Sequence, residues 1–481
     1  MVRLLPRVSF LFLLSMLLAS AVPTFAKRIV PATLSVENSG AGYRFDRGGW
    51  KYVHLEGTPE EIGFQHGQLL APEIADLIDV MKIESKHDTR RDWNFYRDAG
   101  RKMLWPHIGA EYQQELTGIA KGVQSKGMKL DVWDIVALNG GIELPDYYVP
   151  WLNKSEHAMN APLIRPEGHC SAFIATGSYT KGGKIVVAHN NWSSYADGER
   201  WTVMFDIKPE HGHRMVMDGE PGVITSQDDF GVNDAGLIIT ETTITQFIGW
   251  NPDGVPEFVR SRKAMQYAST IDEYVSIIKE GNNGGYANDW LVADRKTGEV
   301  AYLELGLKNT PLWRTKDGYF ISSNFPRDPA LIKQETDGFD SSNKSSSMNA
   351  RHVTWERKIA ASKGKIDVDL AEQFLANHDD SFTGKVSPDA RTLCGHIDVD
   401  PNGVPEWGDP PYYPDGAVTG KVTDSDLAAD LSLIARAGHP CGEDFLAAPF
   451  FAAHPQFDYL KPILKDMKAG PWTKFAAGEK P

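Results

Sequence analysis

Gly168-His-Cys-Ser-Ala-Phe-Ile-Ala-Thr-Gly-Ser-Tyr179, followed after Thr180-Lys181 by Gly182-Gly-Lys-Ile-Val-Val-Ala-His-Asn-Asn-Trp192, marks a change in the character of the chain. Cys170 to Tyr179 reads as a strand, Gly182-Gly183 as a two-residue turn, and Ile185 to Trp192 as the returning strand. Strand-like runs continue over 201–207, 213–217, 223–228 and 237–244, which predicts a large antiparallel block. Residues 256–279 read as one amphipathic helix. Strands at 290–293 and 300–305 flank the turn Asp294-Arg-Lys-Thr-Gly298, and a further helix covers about 350–361. Upstream of the hairpin the pattern is helical. Thr58-Pro59-Glu60-Glu61 forms a capping box with proline at the first helical position, opening a helix that runs to about Lys82. A second helix starts near Arg91 and is broken by Pro106, and a third is capped by Asp131. After Ser362 the chain is rich in Pro, Gly and Asp and shows few strong elements. Helices, then antiparallel strands, then helices predict an α+β fold of stacked layers.

The charge balance narrows the partners. Fifty Lys+Arg against 64 Asp+Glu leave a net charge of −14 over 481 residues, with no basic block. Such a surface repels phosphate backbones and disfavours anionic membranes, so neither nucleic acid nor a stable membrane attachment is expected. Arg3 and Arg7 precede the apolar run Val8 to Leu18, which is too short to span a bilayer, and small residues follow at Ala19-Ser-Ala21 and Thr24-Phe-Ala26. Residues 1–26 are therefore expected to be a secretory signal peptide. The protein is then secreted or periplasmic, or lies in a lysosome-like lumen if the source is eukaryotic. Three cysteines in an exported chain leave at least one unpaired. Cys394 and Cys441 both sit in loop-like surroundings and are expected to pair, leaving Cys170 free.

Several chemistries lack their signatures. There is no G-x-S-x-G elbow, no H-E-x-x-H, no closely spaced Cys/His set for zinc and no glycine-rich phosphate loop opening a helix. His211 and His213 read as a solvated turn beside Pro209. No metal or organic cofactor is expected. Cys170 remains, at the first residue of a strand. As a buried thiol it would be inert. If the His169–Cys170 peptide bond is cut, however, Cys170 gains an α-amine of pKa about 8 beside its own sulfur. One residue then supplies both nucleophile and base. Asn191-Trp-Ser is also a glycosylation sequon, next to the proposed site.

The region from Cys170 to about Arg351 resembles the phospholipase B-like proteins, which are N-terminal-nucleophile (Ntn) hydrolases. The matching segments are Gly168-His-Cys-Ser-Ala172, Ala188-His-Asn-Asn-Trp-Ser-Ser-Tyr195, Asp228-Asp-Phe230, Ala235-Gly-Leu-Ile-Ile-Thr-Glu-Thr-Thr-Ile244 and Asn283-Gly-Gly-Tyr-Ala-Asn-Asp-Trp290. Gly63-Phe-Gln-His-Gly67 is similar to the N-terminal part of the related acyltransferases that process penicillin precursors. The resemblance implies a four-layer αββα sandwich over 170–481. It also implies a helical segment, 27–169, that is cleaved but retained, and self-cleavage before Cys170.

By position, Cys170 matches the nucleophile, and His189 and Trp192 match residues facing it. Thr242 matches a threonine near the site, Asn288 an amide donor to the oxyanion, and Arg351 an arginine at the pocket. Ser193 stands where penicillin and bile-salt acylases usually carry aspartate, which favours the phospholipase B-like branch. The implied activity is hydrolysis of an acyl ester through a Cys170 thioester, on a small-molecule or lipid substrate. The alternatives are an amidase or acyltransferase on N-acyl amines or peptides, and a secreted binding protein that keeps the sandwich without catalysis.

Overall fold

The computed structural model describes residues 35–156, 170–227 and 230–480, together with Met1. The expected signal peptide and the residues just before Cys170 lie outside the described residues. The leader supplies strands β1 (Glu37–Ser39), β2 (Gly42–Arg47) and β3 (Trp50–Gly57). The hairpin is β4 (Ser171–Gly177) and β5 (Gly183–Ser194). There follow β6 (Val203–Pro209), β7 (Met215–Gly219), β8 (Gly231–Asn233), β9 (Leu237–Thr243), β10 (Asn288–Asp294), β11 (Glu299–Glu304), β12 (Leu312–Thr315) and β13 (Gly318–Ser322). The last strands are β14 (Asp415–Asp424), β15 (Ser432–Ala437) and β16 (Thr473–Ala476).

Among the described residues these strands form two sheets with flanking helices, a mixed α+β architecture. One sheet has ten strands in the order β1-β2-β3-β6-β7-β8-β9-β10-β11-β12, and the other has six, β13-β4-β5-β14-β15-β16. Neighbours are antiparallel except β3 and β6, which run parallel with Lys51 opposite Val203. The strands read as near-continuous apolar runs because both of their faces are buried. In β4 and β5, Ala172, Ile174, Ile185 and Val187 point into a cluster shared with Ile238, Leu291 and Ala293 of the larger sheet. The alternate residues Phe173, Ala175, Val186 and Ala188 pack instead on Trp355 and Ile359 of helix Ser347–Ala361 and on Phe374 of helix Val368–Leu375. On the other side, Ile239, Trp290 and Val292 pack under leader residues such as Ile74, Leu116 and Ile119. A fully buried ion pair, Lys421 of β14 to Asp218 of β7 at 2.9 Å, also ties the two sheets together.

The leader helices cross at very close range. An added Cβ at Gly63 would lie 2.0 Å from the Glu115 carbonyl, and one at Gly122 would lie 2.3 Å from that of Phe64. Helices Pro59–Leu69 and Ala110–Ser125 therefore meet backbone to backbone, which explains the spacing of Gly63 and Gly67. The capping boxes at Thr58 and Asp131 are both formed.

Five expectations need correction. The helix expected from Thr58 to about Lys82 is two, Pro59–Leu69 and Ala71–Thr89, because Leu70 leaves the helical conformation between them. The leader is not wholly helical, since 37–57 forms three strands joined partly through Gly48-Gly49, both at positive φ. Residues 223–227 form turns, and the strand comes later, at β8. The helix expected over 256–279 is two, Glu257–Tyr267 and Ile271–Lys279, because Thr270 caps the second. The C-terminal part is better structured than its composition suggests, with β14 pairing directly against β5. No helix among the described residues is long and apolar enough to cross a membrane.

Candidate active site

Cys170 is fully buried at the entrance to β4, with φ +94°, in a region that a residue with a Cβ seldom adopts. Its Sγ lies 3.7 Å from Asn191 Oδ1 and 3.9 Å from Glu241 Oε1. A ring nitrogen of His189 joins the sulfur and the Glu241 carboxylate, all three donor atoms lying within 4.8 Å of one another. His189 and Asn191 reach this point from β5, on the face that carries Ile185 and Val187 between the sheets. Glu241 comes from the middle of β9 and is fully buried. Its carboxylate accepts from the Tyr286 hydroxyl at 3.2 Å and from the Asn288 amide nitrogen at 2.9 Å.

Arg351 closes the other side. From helix Ser347–Ala361, its Nη1 donates to the Cys170 carbonyl at 2.5 Å and to Ser171 Oγ at 2.9 Å, and its Nη2 donates to Asn324 Oδ1 at 2.8 Å. Its guanidinium lies 4.3 Å over the Trp192 ring, a cation–π contact. Burial draws this guanidinium down to about 9, and the nearby Cys170 sulfur opposes the shift. A full positive charge here is therefore costly unless negative charge develops beside it.

The sequence-expected residues thus fall at different distances from the sulfur. A His189 ring nitrogen stands within 4.8 Å of the Cys170 sulfur. Asn288 reaches the sulfur only through Glu241, to which its amide is committed. Arg351 holds the Cys170 carbonyl. Trp192 stands behind Arg351 and donates through Nε1 to the Leu393 carbonyl at 3.3 Å. Thr242 is further removed, since its Oγ1 accepts from the Asn324 backbone at 3.2 Å and pairs with Ser322 Oγ at 2.5 Å. The sequence reading missed Glu241 as a member of the site, and it met Asn191 only as a sequon. A lone acid within the apolar-to-threonine run of β9 was the available signal for Glu241.

The expected Cys394–Cys441 bond is not formed; no disulfide is present among the described residues. Instead His396 Nε2 stands 3.6 Å from each of the two sulfurs, and His378 completes the group. The chain therefore does hold a Cys/His cluster. Sequence spacing conceals it because the four residues come from three separate loops.

The family described as Phospholipase B matches residues 79–303, which include Cys170, His189, Asn191, Glu241 and Asn288. Phospholipase B-like protein C of Dictyostelium discoideum is 24% identical over 292 residues, 53% of this chain and 50% of that protein. Human phospholipase B-like 1 is 28% identical over 243 residues, 47% and 42% of the two chains. A protein of Archaeoglobus fulgidus, described as uncharacterized, is 25% identical over 298 residues, covering 59% and 48%. The chain spans about half the length of the curated relatives it matches. By these matches, the segment that carries the buried thiol and its neighbours is similar to the phospholipase B-like family.

Proposed function

We propose that this chain is an exported, self-processing cysteine hydrolase of the N-terminal-nucleophile kind, acting on an acyl ester or amide bond. The observation that carries the reading is the Cys170 sulfur, buried at the start of a strand and facing Asn191, His189 and Glu241. Two stacked sheets with helices on their outer faces support the αββα sandwich as the scaffold.

In the maturation step the Cys170 sulfur attacks the His169 carbonyl carbon. An S–C bond forms, the C–N bond to Cys170 breaks, and the thiol proton passes to the freed amine. Water then opens the thioester and leaves a carboxylate on His169. A positive φ at Cys170 favours this step, because such backbone strain, about 1–3 kcal/mol, is relieved when the peptide bond opens. Arg351 fixes the Cys170 carbonyl, so the residue keeps its place once it becomes a chain terminus.

In turnover the new α-amine takes the thiol proton, the sulfur attacks the substrate carbonyl, and the alcohol or amine leaves carrying that proton; water then opens the thioester, releasing the carboxylic acid and restoring the thiol. Asn191 Nδ2 is buried without a hydrogen-bond partner among the described residues and is the donor best placed for the oxyanion. Asn288 and Tyr286 hold the Glu241 carboxylate and thereby position the site. The family resemblance favours lipid acyl chains as substrate, and N-acyl amines are the second class to test.

The test is intact-mass analysis of the purified parent and its Cys170→Ala variant. The expected result is two fragments from the parent, one beginning Cys-Ser-Ala-Phe, and a single chain from the variant. The same spectra read export, through loss of residues 1–26. A fully active parent that stays in one piece would sink the mechanism.

A further inference from the structure

His378, Cys394, His396 and Cys441 adjoin Trp192 through Leu393 and Gly395 and take no part in the chemistry proposed above. His378 follows helix Val368–Leu375, Cys394 and His396 share the next loop, and Cys441 follows β15. One donor atom from each of the four lies within 4.8 Å of the other three. His396 Nε2 sits 3.6 Å from both sulfurs. A tetrahedral zinc ion with Zn–S of about 2.3 Å and Zn–N of about 2.05 Å places its nitrogen and sulfur ligands about 3.6 Å apart. Both N···S distances therefore match the edges of a zinc tetrahedron. No disulfide joins the two sulfurs.

The surroundings hold these side chains in place. Cys394 N donates to the Asn377 carbonyl at 3.1 Å, which joins the loops of Cys394 and His378. His396 N donates to the Asp389 carbonyl at 3.1 Å. The other ring nitrogen of His396 faces Asp398 Oδ1 at 3.9 Å, and that oxygen is fixed by the Tyr195 hydroxyl at 2.7 Å. Carboxylate behind imidazole is the usual outer arrangement around a ligating histidine. The His378 and His396 rings meet edge to face at 5.1 Å. Two thiolates and two neutral imidazoles give a neutral site with Zn2+, which suits burial. Cys394 is fully buried while Cys441 and His378 are half-buried, which leaves a side from which an ion can enter.

We propose that these four residues bind a zinc ion as a closed Cys2His2 structural site, pinning the C-terminal loops against the strand that carries His189 and Trp192. On binding, two thiol protons are released and two Zn–S and two Zn–N bonds form, with no change of oxidation state. The link to β5 is direct. Gly395, between two of the ligands, packs on the Trp192 indole so closely that an added Cβ would lie 2.1 Å from it. The Leu393 carbonyl, one residue before Cys394, accepts from both Trp192 Nε1 and Asn190 Nδ2.

The experiment uses the tag-free full chain, grown with zinc and purified without chelator. Metal content is measured by plasma mass spectrometry on the parent and on the Cys441→Ser, His396→Ala and Cys170→Ala variants. One zinc per chain is expected in the parent and in Cys170→Ala, and loss of the ion in the other two. The Cys170→Ala result separates this cluster from the Cys170, His189 and Glu241 group. Should the ligand variants fail to fold, the parent alone decides. Cobalt exchanged into the site should give thiolate-to-metal charge-transfer absorption and tetrahedral d–d bands. Iodoacetamide should label Cys441 only after chelation. A parent free of metal, a Cys394–Cys441 disulfide in peptide mapping, or zinc kept by Cys441→Ser would each overturn the proposal.

Discussion

The chain places sulfur beside imidazole twice, and the two places differ in what else stands within reach. Around Cys170 the neighbours are one histidine, a carboxylate, an amide and, on its own carbonyl, a guanidinium. Around Cys394 they are a second thiol and two imidazoles. The first set offers places for a proton and for developing negative charge but only one soft ligand. The second is a set of two soft and two borderline donors, all within 4.8 Å of one another. Burial and nearness to histidine are common to both, so they do not separate a nucleophile from a ligand. The partners of the sulfur do.

Exchanging the sulfurs tests this contrast most severely. Cys170→Ala is expected to abolish both fragment formation and acyl hydrolysis, while Cys441→Ser leaves fragment formation intact and lowers the melting temperature. A denaturing gel and a thermal melt on the two variants read both effects, and loss of cleavage in Cys441→Ser would break the distinction. Next in size is Asn191→Ala, which removes the unpartnered amide and should lower kcat about 100- to 1,000-fold with processed protein still recovered. Asn288→Ala, acting through Glu241, should cost less.

A third buried histidine sharpens the comparison because no sulfur accompanies it. His66 Nε2 accepts from Gly222 N at 2.8 Å, and burial pulls its pKa from 6.5 to about 3, with Arg262 adding to the shift. Below about pH 6.5 the unfolded chain takes up a proton that the folded chain refuses until about pH 3. Stability from this group is therefore complete above pH 6.5 and falls as the pH drops through that window. His66→Gln should flatten the acid limb of a melting-temperature profile, and an unchanged limb would refute the assignment. The smallest effect expected is at the seam between the two sulfur sites. Gly395→Ala forces a methyl group against Trp192 and should cost about 1–3 kcal/mol, read by denaturant unfolding.

The parts of the fold that could be read in the sequence were those with simple physical causes. The β4–β5 hairpin carries Gly182-Gly183 between two apolar runs, and Thr58 and Asp131 announce their helices by side-chain capping. β14 gave no such signal. Its residues Thr419, Lys421 and Thr423 are fully buried, yet the chain after Ser362 showed few strong elements in its sequence. The partner that makes Lys421 tolerable there, Asp218, lies some two hundred positions away and in the other sheet. The site divides in the same way. Cys170 and His189 stood out as residue types in a short span. Glu241 acquires meaning only when β9 is laid beside the start of β4, and the Cys2His2 group only when three loops converge. Expecting Cys394 and Cys441 to bond followed from their loop-like surroundings; in the structure no bond joins them, and two imidazoles stand with them, which the sequence spacing did not show.

The parallel pairing of β3 with β6 has a consequence for the matured protein. A cut before Cys170 would leave β3 on one polypeptide and β6 on another, so one continuous sheet would be shared by two chains that no longer have a covalent tether. Melting such a molecule would separate it into halves whose reunion is bimolecular. Its recovery after heating should then depend on protein concentration, as for an obligate heterodimer, while the uncut precursor would regain its structure at any dilution.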